Sequence, residues 1–126
     1  MNNHLTDFSD VLVIGCGGAG LRTAIEVKKN NLNVKVLGKR CKNDAHTGLA
    51  AGGINAAFGN LDPDDSWENH FADTYSEGYE IGDPKLIETM VKLAPKAVNE
   101  VDKWGANFDK LANGKLNQRY FGAHSF

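Results

Sequence analysis

Two short apolar runs lie near the start of the chain, on either side of an amphipathic stretch. Residues 11–14 read Val-Leu-Val-Ile, and residues 34–37 read Val-Lys-Val-Leu. The first run predicts a fully buried strand of a parallel sheet, and the second predicts another short strand. Four apolar residues between the runs have helical spacing and predict a helix over residues 21–31. They are Leu21, Ala24, Ile25 and Val27. Residues 10–38 therefore predict one β-α-β unit, whose crossover we expect to be right-handed.

The second half of the chain has helical periodicity. An aromatic stripe predicts a helix that follows Asp65 or Ser66, either of which is a suitable N-cap. The stripe consists of Trp67, Phe71, Thr74, Tyr75 and Tyr79. Because aromatic side chains at helical spacing dominate cores, we expect a structural role for the stripe and for His70 on the same helix.

A further helix is predicted from its cap. Asp83 stands at the N-cap position and Pro84 in the first turn, which is the usual place for proline in a helix. Pro95 lies inside the apolar pattern and predicts a kink or a break near residues 93–94. The second piece would cover roughly residues 96–104.

The remaining segments predict loops and a turn. Residues 41–60 are rich in small residues, and Gly52-Gly53 within them indicates close approach of the backbone to another surface or to a ligand. Asn113-Gly114 predicts a hairpin turn. The predicted fold is therefore of the α/β class: a Rossmann-like β-α-β start, a glycine-rich loop, helices and a small hairpin.

A glycine motif stands between the first strand and the first helix. It reads Gly15-x-Gly17-x-x-Gly20. In a dinucleotide fold the first glycine makes the tight turn, the second lets the backbone approach a pyrophosphate, and the third lets the helix pack on the strand. Free N–H groups and the positive end of the helix dipole would then face the phosphates. The order of strand, glycine turn and helix predicts a dinucleotide site.

The end of the second strand leaves the choice of dinucleotide open. Folds of this kind usually place Asp or Glu there to bind the ribose hydroxyls. This chain has Gly38-Lys39-Arg40 instead. Basic residues at this place could meet a 2′-phosphate, so the pattern alone admits both NADP and FAD.

Composition and charge exclude several classes of protein. The net charge is −2 and basic residues are scattered, which does not favour nucleic-acid binding. No apolar run approaches the ~20 residues that a membrane span needs, and the first residues lack the features of a signal peptide. Cys16 and Cys41 have no metal-ligand spacing. We expect one cytoplasmic domain with no metal site and no membrane insertion.

Four stretches together resemble the flavoprotein subunit of the succinate dehydrogenase and fumarate reductase family. They are the Gly15–Gly20 motif, His46-Thr47-x-x-Ala50-x-Gly52-Gly53-Ile54-Asn55, Asp65-Ser66-Trp67-Glu68-x-His70-x-x-Asp73-Thr74, and Gln118-Arg119-x-Phe121-Gly122. They occur in the family's order and spacing. Ala51 and Tyr120 depart from the family pattern, which has Gln or Glu and Pro at these places.

The resemblance implies FAD as the cofactor, and Gly38-Lys39 then needs no acidic partner. His46 matches the histidine that is bound covalently to the flavin in many family members. Phe121 matches an aromatic residue near the dicarboxylate. The cofactor-binding residues implied by the resemblance are Gly15, Gly17, Gly18, Ala19, Gly20, Gly38, Lys39, His46, Thr47, Ala51, Gly52 and Gly53.

The resemblance also implies that residues 1–126 are the N-terminal part of an FAD-binding domain. Family members continue for several hundred residues, and their acid–base residues would follow Phe126. We therefore expect no catalytic residue in this chain and no activity or stable flavin binding by this part alone. The parent enzyme would interconvert succinate and fumarate by hydride transfer at flavin N5. Through an iron–sulfur subunit it would lie peripherally at the inner face of a membrane.

Two alternatives remain beside this interpretation. L-Aspartate oxidase shares the glycine motif and the Ala-x-Gly-Gly-Ile stretch, but His46 argues against it because that family holds FAD non-covalently. The other alternative is a module that binds a nucleotide without doing chemistry.

Overall fold

The computed structural model describes residues 7–39, 44–120, 122 and 124–126. These residues form a mixed α/β structure, as predicted. In chain order its elements are β1 (Val11–Ile14), α1 (Gly18–Lys29), β2 (Val34–Leu37), α2 (His46–Leu49), α3 (Trp67–Glu77) and α4 (Pro84–Lys103). The chain divides into two compact units, residues 1–53 and residues 54–126.

The first unit contains the predicted β-α-β arrangement. β1 and β2 pair in parallel, with Val11 opposite Val34 and Ile14 opposite Leu37. The helix α1 begins at Gly18, three residues before its predicted start, so the last glycine of the motif lies inside the helix. Asn30 is the C-cap of α1, so the helix ends within two residues of its predicted end.

The expectation of a fully buried first strand is wrong for this chain. Along β1, Val11 and Val13 are partly buried, whereas Leu12 and Ile14 are 58% and 80% exposed. The physical reason is that α1 is the helix packed on the strand pair among the described residues, and it covers the face of Val13. A strand covered on one face alternates between buried and exposed side chains.

The inward face of α1 also differs from the predicted stripe. Ala24 and Val27 are partly buried as predicted, but Leu21 and Ile25 are 51% and 36% exposed. Gly20 takes part in the inward face, at the spacing i, i+4, i+7 with Ala24 and Val27. The helix therefore contacts the strands through its smaller side chains.

A short helix replaces part of the predicted loop. α2 covers His46–Leu49, and the N–H of Gly48 donates to the carbonyl of Ala45 at 2.8 Å. Its single turn was not predicted because four residues carry no periodic pattern.

In the second unit, α3 packs against α4. The core residues are Val91, which is fully buried, Val98 and His70. The N-cap of α3 is Ser66, whose hydroxyl accepts the N–H of Asn69 at 3.3 Å. Because His70 is buried, the structural role expected for it is confirmed.

The aromatic stripe is only partly a core feature. Phe71 and Tyr75 stack with their ring centres 5.8 Å apart, and both are partly buried. Tyr79 is 86% exposed, because it follows the end of α3 at Gly78 and has a φ of +51°. Its side chain therefore does not belong to the aromatic stripe of the helix.

The break predicted at Pro95 does not occur. α4 is one helix of 20 residues with Pro95 inside it, capped by the Asp83 carboxylate, which accepts the N–H of Lys85 at 2.8 Å. Proline removes one helical hydrogen bond, to the carbonyl four residues earlier. Val91 and Val98 are buried on either side of Pro95, and we attribute the continuity of the helix to this packing.

The predicted hairpin turn is confirmed in a minimal form. Lys110 and Leu116 form one antiparallel bridge around Asn113-Gly114, and Gly114 has a φ of +82°. The carbonyl of Lys115 accepts the N–H of Leu111 at 2.8 Å.

Replacing the fully buried valine tests this description of the core. In the full gene product that contains these residues, Val91→Ala should lower the free energy of unfolding by about 2 kcal/mol, because it removes buried methyl groups and leaves a cavity. Thr89→Ala on an exposed position of the same helix is the matched control and should change stability by less than about 0.5 kcal/mol. Urea unfolding followed by circular dichroism measures both. Equal effects of the two changes would contradict the burial of Val91.

Candidate functional site

The glycine turn after β1 is fixed by two close backbone contacts. Gly15 has a φ of +117°, and its N–H donates to the carbonyl of Leu37 at 2.8 Å. A Cβ atom at Gly20 would lie 1.9 Å from the carbonyl oxygen of Gly15. Both positions therefore require glycine for the fold itself, one for its backbone angle and one for the approach of α1 to the turn.

Gly17 differs from these two glycines. It is the N-cap of α1, with extended backbone, and a Cβ atom there would meet nothing closer than the hydroxyl oxygen of Thr47 at 3.8 Å. The chain itself would accept a Cβ atom at this position. Glycine here fits the close approach of a ligand to the backbone, which was the role predicted for it.

The N-terminus of α1 is suited to a phosphate. The first N–H groups of a helix have no partner within the helix and lie at the positive end of its dipole. Gly17 has no side chain to cap them, and Ala19 in the first turn is exposed.

The structure brings the α2 turn to the glycine motif. The N–H of Gly18 donates to the hydroxyl oxygen of Thr47 at 3.1 Å. A Cβ atom at Gly18 would lie 3.0 Å from Cγ2 of Thr47. His46, the residue before Thr47, has an exposed side chain at the start of α2. The sequence assigned both stretches to the cofactor but did not reveal this bond between them.

The other predicted cofactor residues have no comparable contact to the motif in the structure. Gly38 and Lys39 follow β2 directly and are exposed, at the edge of the sheet where β1 runs into Gly15. Ala51, Gly52 and Gly53 are exposed as well, with open space where a Cβ atom would stand at either glycine. Gly53 has a φ of +114° and so requires glycine for its backbone. Phe121 lies outside the described residues.

The second unit contains a carboxylate that joins three segments. Oδ2 of Asp65 accepts the N–H groups of Phe58 and Gly59 and the side-chain amide of Gln118, at 2.8–3.0 Å. The same amide also donates to the carbonyl of Ala56. Asp65 and Gln118 belong to two of the four stretches that carry the family resemblance. Here they hold the loop of residues 56–60 in place.

A cleft of about 470 Å³ lies beside two histidines of the same unit. The ring centres of His70 and His124 are 5.5 Å apart, and Nε2 of His124 is 2.5 Å from the amide nitrogen of Asn55. The Asp73 carboxylate accepts the N–H of Ser125 at 2.7 Å and lies 3.9 Å from Nδ1 of His124. Sequence reasoning missed this cluster, because Asn55 and His124 are 69 positions apart and no local pattern joins them.

The environment of His70 favours the neutral form of its imidazole. Burial lowers the pKa of its imidazole below the ordinary value of 6.5, and His124 lowers it further. Asp65 and Asp73 act in the opposite direction but more weakly. Nδ1 of His70 is buried and has no hydrogen-bond partner among the described residues.

Comparison with known proteins identifies the family of the chain. The family described as "FAD binding domain" matches residues 10–126. The chain belongs to this FAD-binding domain family. FAD is therefore its cofactor, and the family match decides between the two dinucleotides that the pattern left open.

The relatives include components of fumarate reductase and of succinate dehydrogenase. One subunit of the fumarate reductase (CoM/CoB) of Methanothermobacter marburgensis is 43% identical, over 93% of this chain and 22% of its own length. The mitochondrial succinate dehydrogenase [ubiquinone] flavoprotein subunit of Oryza sativa subsp. japonica is 42% identical, over 92% of this chain and 18% of its own length.

A solved structure supports the same family. The Sdh1 complex of Mycobacterium smegmatis in the apo form matches with a TM-score of 0.88 and 42% identity, over 94% of this chain and 20% of the matched chain. The chain thus spans about a fifth of the length of its relatives. Among the described residues, none of the helices has the length and apolar character needed to cross a membrane.

The lowered pKa of His70 predicts the pH dependence of the second unit. Since the unfolded chain binds this proton more readily, the free energy of unfolding is highest above about pH 6.5 and falls as pH decreases below that value. His70→Phe should reduce this fall, because the titrating group is gone. Thermal midpoints between about pH 8 and pH 5.5 measure it, with Thr89→Ala, at an exposed position of the same unit, as the control. A fall of unchanged size in His70→Phe would rule out this histidine as the cause.

Proposed function

We propose that this chain binds the ADP half of FAD at the start of α1 in a flavoprotein that interconverts succinate and fumarate. The observation that carries the proposal is Gly17, an N-cap whose lack of a side chain the chain's own packing does not require. Glycine at this place leaves room for a pyrophosphate beside the free N–H groups of the helix. The family match and the identity of the relatives support the same assignment.

Different residues of the first unit hold different parts of the cofactor. The amides at the start of α1 bind the pyrophosphate. Gly15 and Gly20 hold the turn and the helix in the position that this binding requires. Gly38 and Lys39, at the end of β2, face the adenosine portion. The exposed backbone at Ala51, Gly52 and Gly53 receives the isoalloxazine, and a Cβ atom at either glycine would meet no described atom within 4 Å. His46 is the residue for covalent attachment, and its exposed imidazole on α2 is accessible for this reaction.

When bound, FAD supplies hydride transfer at N5. The described residues hold and orient the cofactor and contribute no acid or base to the reaction. Phe121 would lie near the dicarboxylate. In the longer flavoprotein we infer that an iron–sulfur subunit receives the electrons and that the protein lies peripherally at the inner face of a membrane. The basis is that the relatives belong to succinate dehydrogenase and fumarate reductase.

Substitution of Gly17 tests the cofactor site. In the full gene product that contains these residues, Gly17→Val should remove bound flavin, because the side chain would occupy the space of the pyrophosphate. Gly17→Ala, whose Cβ atom would have only ordinary contacts within the chain, serves as the smaller variant in which the fold should survive. Flavin absorbance of the purified protein and its circular dichroism measure the two effects. Thr23→Val on the exposed side of α1 is the matched control. A Gly17→Val protein with the flavin content of the parent would refute the assignment.

Substitution of His46 tests the covalent link. After acid precipitation and denaturing electrophoresis, the unmodified protein should show flavin fluorescence in its band, and His46→Ser should show none. Non-covalent FAD should remain in His46→Ser before precipitation, because the phosphate site is untouched. Fluorescence that persists in His46→Ser would place the attachment at another residue.

A further inference from the structure

The stretch of residues 118–125 is bonded to the rest of the second unit at both of its ends. At the first end, the side-chain amide of Gln118 donates to the Asp65 carboxylate at 2.8 Å. At the other end, the Asp73 carboxylate accepts the N–H and the hydroxyl of Ser125, at 2.7 and 3.0 Å. Asp65 directly precedes the N-cap of α3 and Asp73 lies within that helix. Both ends of the stretch are therefore attached to the same helix.

His124 adds a second contact at the end that Asp73 holds. Its Nδ1 atom lies 3.9 Å from Oδ2 of Asp73, and its Nε2 atom lies 2.5 Å from the amide nitrogen of Asn55. Asn55 follows Gly53 closely in the sequence. This end of the stretch is thus bonded to the chain segment that continues from the loop proposed to receive the isoalloxazine.

The bonds of Asp73 differ from an ordinary surface ion pair. Its carboxylate is partly buried and uses both oxygens on Ser125, and hydrogen bonds to an ionised group are stronger than neutral ones. The same stretch also contains Arg119, which lies 3.4 Å from the Asp109 carboxylate with both side chains exposed. Exposed pairs of that kind contribute little. Asp73, rather than Asp109, therefore fixes the position of the stretch.

The attached stretch also contains the residue assigned to the substrate side of the site. Phe121, which lies outside the described residues, stands in the sequence between Gln118 and Ser125. Hydride transfer requires the dicarboxylate to be held against the flavin ring in a defined geometry. A residue that contacts the dicarboxylate from this stretch depends on both attached ends for its position.

We propose that Asp73 is a positioning residue for the dicarboxylate. By holding Ser125 and His124, it fixes the stretch that carries Phe121 beside the segment that continues from the flavin loop. Asp73 itself contacts neither the substrate nor the cofactor. This inference rests on the proposed function and adds to it a residue of α3 that determines how tightly the dicarboxylate is bound.

Two substitutions at Asp73 separate the hydrogen bonds from the charge. Asp73→Ala removes every acceptor for Ser125. Asp73→Asn keeps an oxygen that can accept the N–H of Ser125, and its amide nitrogen can donate to the hydroxyl. Asp64→Ala, at an exposed position just before α3, is the matched control. All variants are made in the full gene product that contains these residues, with its flavin bound.

Steady-state oxidation of succinate gives the decisive comparison. Asp73→Ala should raise KM about tenfold, the size of one lost charge-assisted bond, with kcat and flavin content within about twofold of the unmodified protein. Hydrogen exchange at the peptide that contains Ser125 should be faster in this variant. Asp73→Asn should restore most of both properties, and Asp64→Ala should change neither.

The other outcomes overturn the proposal in distinguishable ways. A lower thermal midpoint or a loss of flavin in Asp73→Ala, with KM unchanged, would show a merely structural role. Faster exchange with unchanged KM would show that the attachment exists but does not position the dicarboxylate. Failure of the proposed function is visible in the unmodified protein: if it contains flavin but neither oxidises succinate nor reduces fumarate, the function is refuted and this inference with it.

Discussion

The first unit depends on one contact between backbone atoms, the approach of α1 to the turn that follows β1. The carbonyl oxygen of Gly15 occupies the place where Gly20 would carry a Cβ atom, at 1.9 Å. Any larger residue at position 20 would push the helix away from the strand. The helix start would then move with it, and so would the amides that we propose bind the pyrophosphate. The packing of the first unit and the proposed cofactor site therefore depend on the same glycine.

The three glycines of the motif are required for different reasons. Gly15 is needed for its backbone angle and Gly20 for its close contact, so both would be glycine in a chain that bound nothing. Gly17 has an ordinary backbone conformation, and a Cβ atom there would make only ordinary van der Waals contacts. It is the glycine of the three that the fold does not explain. Gly17, rather than the whole motif, is therefore the residue that points to a ligand.

Local signals in the sequence predicted most of the elements. The two strands, α1, the cap at Asp83 and the turn at Asn113-Gly114 each depend on neighbouring residues, and the structure confirms them. The continuity of α4 through Pro95 was not predictable, because it depends on the burial of Val91 and Val98 against the rest of the second unit. The candidate site likewise has one part that depends on local sequence and another that depends on the fold. Its residues could be named from motifs, but the bond between Gly18 and Thr47 joins positions 29 apart and required the fold.

One face of the strand pair is exposed, and covering it would add to the stability of the fold. Leu12, Ile14 and Leu37 are each more than half exposed, although parallel strands are usually covered on both faces. Burying a side chain of this size contributes about 1.5–3 kcal/mol, so covering the three contributes several kcal/mol. That amount is a large part of the ~5–15 kcal/mol by which a typical domain is stable. The relatives, of which the chain spans about a fifth, have further chain from which such a cover can come. Because the glycine turn leads directly out of β1, a cover on this face would also stabilise the phosphate site.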